Sequence, residues 1–339
     1  MSERKIIYLG FAFSHHRNTH AGYDKISDFL AYNKKINCQQ YIENCASKKL
    51  FRRIIHKLCN VLFHIPDIPF YLLKVIQIGC ISKNNVFHFI YGENIFFRLP
   101  KWLLRKENKY VCTFHQPFEW FEHNPRFLNY LKELDAVILV GKSELEKFEC
   151  VTGRKNVFFI PHGICTDFYR PEESIHKEHM LLTVGNWLRD YDFADRVYQR
   201  LLIEDPSLVI NVVASEKNQQ KIKKHSRILF HNGISDERLK KLYCQCSVLF
   251  LPLIRYTANN AVLEAGATGC NLVIASNYPD NSYIPEEYIS VTEMDVDKTI
   301  LAIKAALRPK YNYGLSAYVQ KYFSWTEIAK QTSDVLKKI

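Results

Sequence analysis

Residues 256–276 read YTANNAVLEAGATGCNLVIAS. The pattern predicts a turn, a short helix, a second turn and a buried strand. Ala261, Val262, Ala265 and Thr268 recur at spacings of three and four, one face of a helix. Asn259 or Asn260 suits the N-cap, where a side-chain oxygen accepts from a free N–H of the first turn. Gly269 suits the exit, where the chain turns without a Cβ. Leu272–Ala275, apolar throughout, reads as a strand buried on both faces. One residue departs from this apolar plan: Glu264. It stands one turn into a helix of small residues whose free N–H groups and positive dipole end suit an anion.

Outward from this stretch, short apolar runs alternate with helical patterns. Strands are expected at 5–13, 37–41, 86–91, 110–114, 136–140 and 157–160, and again at 180–184, 208–214, 228–230, 248–251 and 272–275. Helices are expected at 23–32, 94–105, 125–133 and 143–151, then at 193–202, 216–224, 236–245, 260–268, 295–307 and 325–338. The rhythm pauses after Pro161-His162-Gly163, and the polar segment 170–177 reads as a linker. Such alternation implies α/β domains with parallel sheets covered on both faces. Ligands of these sheets bind beyond the carboxyl ends of the strands, and two such domains facing each other leave a cleft.

The length of 339 residues suits two domains. The 47% hydrophobic content is ordinary for a globular chain, and the 14% aromatic content argues against disorder. The opening MSERKIIYLG has too short an apolar run for a signal peptide. No window of the length needed to span a bilayer lacks charge. The ten cysteines form no C-x-x-C pair and lie mostly in apolar runs, so they read as reduced core residues of a cytosolic protein rather than zinc ligands.

The net charge is +11, unevenly spread. Residues 1–165 hold 24 Lys and Arg against 14 Asp and Glu, whereas the remainder holds 22 against 21. A basic first half points to an anionic partner surface, nucleic acid or membrane. Within it, 48–81 begins KKLFRRIIHKLCNVLFHI and combines a basic cluster with an apolar stripe at helical spacing. It reads either as an amphipathic helix lying on an anionic bilayer or as an ordinary surface helix with a core face.

Five pieces of the second half, in order, carry a resemblance: VFFIPHGICTDFYRP (157–171), LLTVGNWLRDY (181–191), NGISDERLKKLYCQCSVLFLPL (232–253), TANNAVLEAGATGCNLVIAS (257–276) and FSWTEIAKQTSDVL (323–336). HAGYDKISDFL (20–30) and TFHQP (113–117) add less specific support. Together they resemble the retaining group 1 (family 4) glycosyltransferases of the GT-B fold. The resemblance implies two Rossmann-like domains facing across a cleft. Residues 1–169 would bind the acceptor and 170–322 the nucleotide sugar, and the helix 323–339 would cross back to the first domain.

The resemblance also assigns roles. Glu264 takes the position that bonds the donor ribose, as a carboxylate accepting from two vicinal hydroxyls can. Backbone N–H groups of Ala258, Asn259 and Asn260 would hold phosphate or sugar. Tyr256 stands where the family usually has a second Glu, so the sugar pocket is expected to differ there. Arg189, following Val184-Gly185, would stabilise the departing diphosphate, with Arg255 as a second cation. His115 would stand by the donor sugar, Glu119 would bind an acceptor hydroxyl or act as base, and Gly22 would let the first loop approach the donor closely. His115, Glu119 and Arg189 are thus the catalytic candidates. Gly22, Gly185, Arg255, Tyr256, Ala258, Asn259, Asn260 and Glu264 are the donor-binding ones. His15, His16 and His20 read as loop or acceptor contacts rather than metal ligands.

No Asp-x-Asp motif argues for a metal, and no cofactor is expected. The expected activity is transfer of a sugar, with retention, from a UDP- or GDP-linked donor to a glycan or lipid-linked acceptor in surface polysaccharide or lipopolysaccharide synthesis. It would take place in the cytoplasm, at the inner face of a membrane. The alternatives are a nucleotide-sugar epimerase or hydrolase on the same fold and a catalytically silent subunit supporting an active partner; nucleic-acid binding through the basic half is a weaker rival, and no nucleic-acid partner is expected.

Overall fold

The computed structural model describes residues 4–13, 16–17, 19–38, 70–96, 107–123, 125–153, 156–255, 258–278 and 283–339. The chain forms two compact units, Met1–His162 with Thr326–Ile339, and Gly163–Trp325. The first holds strands β1 (Lys5–Gly10), β2 (Lys34–Asn37), β3 (Asn85–Phe89), β4 (Lys109–Phe114), β5 (Ala136–Leu139) and β6 (Val157–Phe159). They form one parallel sheet in the order β2-β1-β3-β4-β5-β6. The second holds β7 (Glu178–Val184), β8 (Val209–Val213), β9 (Ile228–His231), β10 (Cys246–Pro252), β11 (Asn271–Ala275) and β12 (Ile289–Thr292). These are also all parallel, in the order β12-β11-β10-β7-β8-β9.

Every residue of β3 and β10 is buried, as central strands covered by helices on both faces require. The aromatic content concentrates in the first core, where Phe87, Phe89, Phe114, Phe121 and Phe148 pack together. In the second unit Asp190, Ser235, Asn259, Asp295 and Asn312 each cap the helix they precede by accepting from a first-turn N–H. At the boundary Gly163 lies under Trp325, and a Cβ there would fall 2.3 Å from its ring. Ile164 N donates to Phe323 O at 2.8 Å, so the outgoing and returning chain run side by side.

Several boundaries differ from expectation. The second strand lies at Lys34–Asn37, where only Ile36 is buried, too little to mark a strand by pattern. The helix expected at 216–224 stops after Glu216–Gln219, where Gln219 Nε2 turns back to the carbonyls of Ala214 and His231. Helix Tyr313–Phe323 and strand β12 emerge without a sequence signal. In the helix, buried Leu315, Val319 and Phe323 are interleaved with tyrosines, and β12 is half-exposed along its length. Cys38, Cys112, Cys244, Cys246 and Cys270 are buried, whereas Cys80 and Cys150 are exposed.

Of the segment 48–81, only the helix Phe70–Ile81 is described; its basic cluster, and the membrane contact read from it, lie outside the described residues. Among the described residues no helix is long and apolar enough to cross a membrane.

Candidate functional site

In the second sheet the chain order reverses between β10 and β7, the place where sheets of this kind bind ligands beyond the carboxyl ends of their strands. The loop after β7 is fixed by its surroundings. Asp190 N donates to Pro252 O at 2.9 Å, Ile254 N donates to Leu188 O at 3.1 Å, and Arg189 bridges to Leu253. Gly185 has φ +109°, and a Cβ there would sit 3.0 Å from an Arg189 guanidinium nitrogen. The glycine therefore supplies both the backbone turn and the room for the cation.

Arg189 is held on three sides. Nε donates to Val184 O at 3.2 Å, Nη1 to Trp187 O at 2.9 Å and Nη2 to Asn259 Oδ1 at 3.2 Å. Its acceptors are neutral oxygens, and among the described residues it makes no ion pair. Burial pulls its pKa down to about 10, which leaves the guanidinium charged at neutral pH. Asn259 caps the helix Asn260–Ala267 by accepting from Ala261 N at 3.1 Å. The cation and the helix N-terminus therefore share one side chain. Ala258 and Asn260 flank it, both partly buried, and Arg255 is likewise partly buried. Tyr256 lies outside the described residues.

Glu264 lies one turn into that helix, only 4% exposed. Its Oε2 accepts from the Tyr243 hydroxyl at 2.9 Å. Burial raises its pKa to about 7; the Tyr243 bond opposes this, the Asp236 charge adds to it, and Tyr169 opposes it more weakly. Tyr169 acts on the carboxylate through its proximity, without a hydrogen bond of ordinary geometry. Tyr243 closes the helix Asp236–Gln245, whose end is pinned by buried Lys177 donating to the carbonyls of Tyr243 and Cys246, each at 2.9 Å. Tyr243 was not singled out in the sequence. It stands 21 residues from Glu264, and only the fold brings them together.

The first unit gathers a second group. Gly22 has φ +104°, and a Cβ there would lie 2.5 Å from Asp24 Oδ1 and 2.7 Å from His16 Nδ1. His115, just beyond β4, has its ring 4.7 Å from that of Tyr91 and 4.8 Å from that of Tyr23, and its Nδ1 is 3.3 Å from Glu93 Oε1. Glu119 opens the helix Glu119–Glu122, and its Oε1 pairs with Lys147 at 2.7 Å. Glu93 and Glu144 carried no sequence signal. The buried Glu144 carboxylate accepts from Phe118 N at 2.8 Å and so holds the turn after His115. Among the described residues no group of three or more His, Cys, Asp or Glu is arranged to hold a metal; His15 lies outside them.

No family model matches the sequence, and no curated protein matches it. Solved structures match along the whole chain. The N-terminal domain of Candida albicans trehalose-6-phosphate phosphatase superposes with a TM-score of 0.68 at 14% identity, covering 100% of this chain and 98% of that one. Sucrose-phosphate synthase from Thermosynechococcus elongatus gives 0.66 at 14% identity over 99% of each chain. The Anabaena protein HepE, in complex with UDP and glucose, gives 0.66 at 12% identity over 99% of this chain and 100% of that one. The fold is GT-B. Its two Rossmann-like domains are the two parallel sheets described above. At these identities the likeness establishes architecture, and the chemistry must be argued from the residues.

Proposed function

We propose that the chain is a retaining glycosyltransferase of the group 1 (family 4) kind, moving a sugar from a nucleotide-sugar donor to a glycan or lipid-linked acceptor. The observation that carries this reading is the cradle at the strand-order reversal of the second sheet: Arg189 and a helix N-terminus joined through Asn259, with the Glu264 carboxylate one turn further in. A cation beside free N–H groups suits a diphosphate, and a carboxylate beyond it suits ribose hydroxyls. In this reading Arg189 stabilises the charge that develops on the nucleoside diphosphate as the glycosidic bond breaks, with no metal required. His115 meets the sugar being transferred, and Gly22 admits it. Asn260 and Ala258 offer backbone N–H groups to phosphate or sugar, and Arg255 is a second cation for the diphosphate. Glu119, paired with Lys147 on the surface, is the acceptor-hydroxyl contact of this reading, with a base role secondary. The pathway is synthesis of surface polysaccharide or lipopolysaccharide, in the cytoplasm, with 48–81 resting on the anionic inner face of a membrane.

UDP is the first nucleotide to try, because HepE holds it on the same fold. The test is incubation of the full chain with UDP- and GDP-sugars and a lipid-linked or oligosaccharide acceptor, following the anomeric proton of the product by NMR. Transfer with the donor's anomeric configuration is expected. Inverted product excludes the retaining assignment. Donor turnover that ignores the acceptor points to an epimerase or hydrolase, and no turnover with any donor points to a silent subunit.

A further inference from the structure

Glu93 has no place in the chemistry above, yet it is the kind of residue a fold rarely buries without a use. It is 7% exposed, and its Oε2 is buried with no hydrogen-bond partner among the described residues. A carboxylate so placed is costly unless charge or hydrogen bonds compensate it. Among the described residues its ion-pair contact is His115, with Nδ1 3.3 Å from Oε1.

The sequence around Glu93 forces this approach. Tyr91-Gly92-Glu93 turns directly off β3, and a Cβ on Gly92 would lie 2.6 Å from Phe114 Cε1 and 2.7 Å from Cys112 Cβ. The turn is thus pressed onto β4, whose end carries His115. The imidazole is also packed between two rings: Tyr91 lies tilted at 40° with centroids 4.7 Å apart, Tyr23 edge-to-face at 76° and 4.8 Å, and Tyr23 N donates to the Tyr91 hydroxyl at 3.0 Å. Two rings confine the imidazole, and one carboxylate meets one of its nitrogens.

We infer that Glu93 is the positioning residue of His115. From its 3.3 Å approach the carboxylate accepts from Nδ1–H, holds that tautomer, and leaves Nε2 as the edge offered to a sugar hydroxyl. A carboxylate behind an imidazole acts in this way wherever one nitrogen must be kept unprotonated for a ligand. The inference deepens the proposed function, because it rests on His115 meeting the sugar. The arrangement of the pair itself needs no donor.

The test is ¹⁵N–¹H NMR of the histidine-labelled full chain at alkaline pH, where imidazoles are neutral, with the His115 signal assigned by its loss in His115→Asn. The Nδ1–H tautomer is expected in the wild type, moving toward Nε2–H in Glu93→Leu. With a donor in hand, Glu93→Leu lowers kcat about 10- to 100-fold, and Glu93→Gln, which keeps an acceptor oxygen, recovers part of it. A wild type in the Nε2–H form overturns the inference, whether or not the variant folds, and so does a folded Glu93→Leu with an unchanged tautomer. UDP binding, measured separately, keeps the two ideas apart. The expected tautomer without any nucleotide binding leaves the pair standing and removes the functional reading. Nucleotide binding with the Nε2–H tautomer does the reverse.

Discussion

Asn259 Oδ1 serves two donors at once: Ala261 N at 3.1 Å and Arg189 Nη2 at 3.2 Å. A single amide oxygen thus starts the helix that carries Glu264 and locks the loop after β7 to it. Loss of this residue has two separable consequences. Asn259→Ala removes a cap worth about 0.5–2 kcal/mol and frees the guanidinium, so both thermal stability and nucleotide affinity fall. Asn259→Asp keeps the cap and strengthens the hold on Arg189, so melting temperature is retained. It also places a negative charge beside the anion, so nucleotide affinity falls. Melting curves and calorimetric titration of the two variants separate these effects.

The cation itself is expected to act as a fork rather than a point charge. Arg189→Ala should weaken binding of a nucleoside diphosphate by about 1.5–3 kcal/mol, the range for hydrogen bonds to charged groups. Arg189→Lys should recover only part of it, because an ammonium cannot reach the carbonyls of Val184 and Trp187 together with Asn259. Gly185→Ala should act on the same cation from behind, through strain at φ +109° and a methyl 3.0 Å from its nitrogen. Titration with nucleotide checks all three, and unchanged affinity in Gly185→Ala would remove the cradle geometry from the account.

Glu264 links the site to stability. Its folded pKa of about 7 lies above the ordinary carboxyl value, so between the two the folded protein holds the extra proton. Stability therefore falls as pH rises through this window, and the loss is complete above about pH 7. Glu264→Gln has no proton to lose. It should stabilise the ligand-free chain by up to about 3 kcal/mol at pH 8 and by less than about 1 kcal/mol at pH 5. Urea denaturation at the two pH values measures the difference. The same variant should bind nucleotide more weakly, because an amide offers the ribose one acceptor oxygen instead of two.

Tyr243 tests the same carboxyl from its partner's side. Its hydroxyl favours the ionised form, so Tyr243→Phe should push the Glu264 pKa further up. It should also cost about 1–3 kcal/mol for the polar group left unpaired. Ribose hydroxyls prefer the carboxylate, so the pH at which nucleotide binding reaches half its full strength should move upward in Tyr243→Phe. Affinity profiles from pH 6 to 9, with Glu264→Gln as the baseline that removes the nucleotide's own titration, report the shift.

Much of this architecture was legible because buried parallel strands are apolar on both faces. Val248–Leu251 and Leu272–Ala275 announced themselves for that reason, whereas β2 and β12, half in solvent, did not. A cap at Asn259 or Asn260 and an exit at Gly269 follow from local backbone chemistry; the structure uses Asn259, and Gly269 has φ +69°. Glu264 stood out as one carboxylate in an apolar helix. Its partner did not, since a tyrosine 21 residues away carries no spacing signal. The same holds for Glu93, which meets His115 only because β3 and β4 are neighbours. Glu119 is legible from its closeness to His115 in sequence, whereas its partner Lys147, 28 residues on, carries no such signal. Local chemistry shows in spacing, but contacts between distant segments appear only once the chain has folded.

The most direct test of the central claim is calorimetric titration of the full chain with UDP, GDP, ADP and CMP, repeated on Arg189→Ala and Glu264→Gln. The account requires that at least one diphosphate bind and that both substitutions weaken it, Arg189→Ala by tenfold or more, since about 1.4 kcal/mol corresponds to a factor of ten. Failure of all four nucleotides to bind, or binding that both substitutions leave unchanged, would contradict the assignment of a nucleoside diphosphate to the Arg189–Asn259–Glu264 cradle.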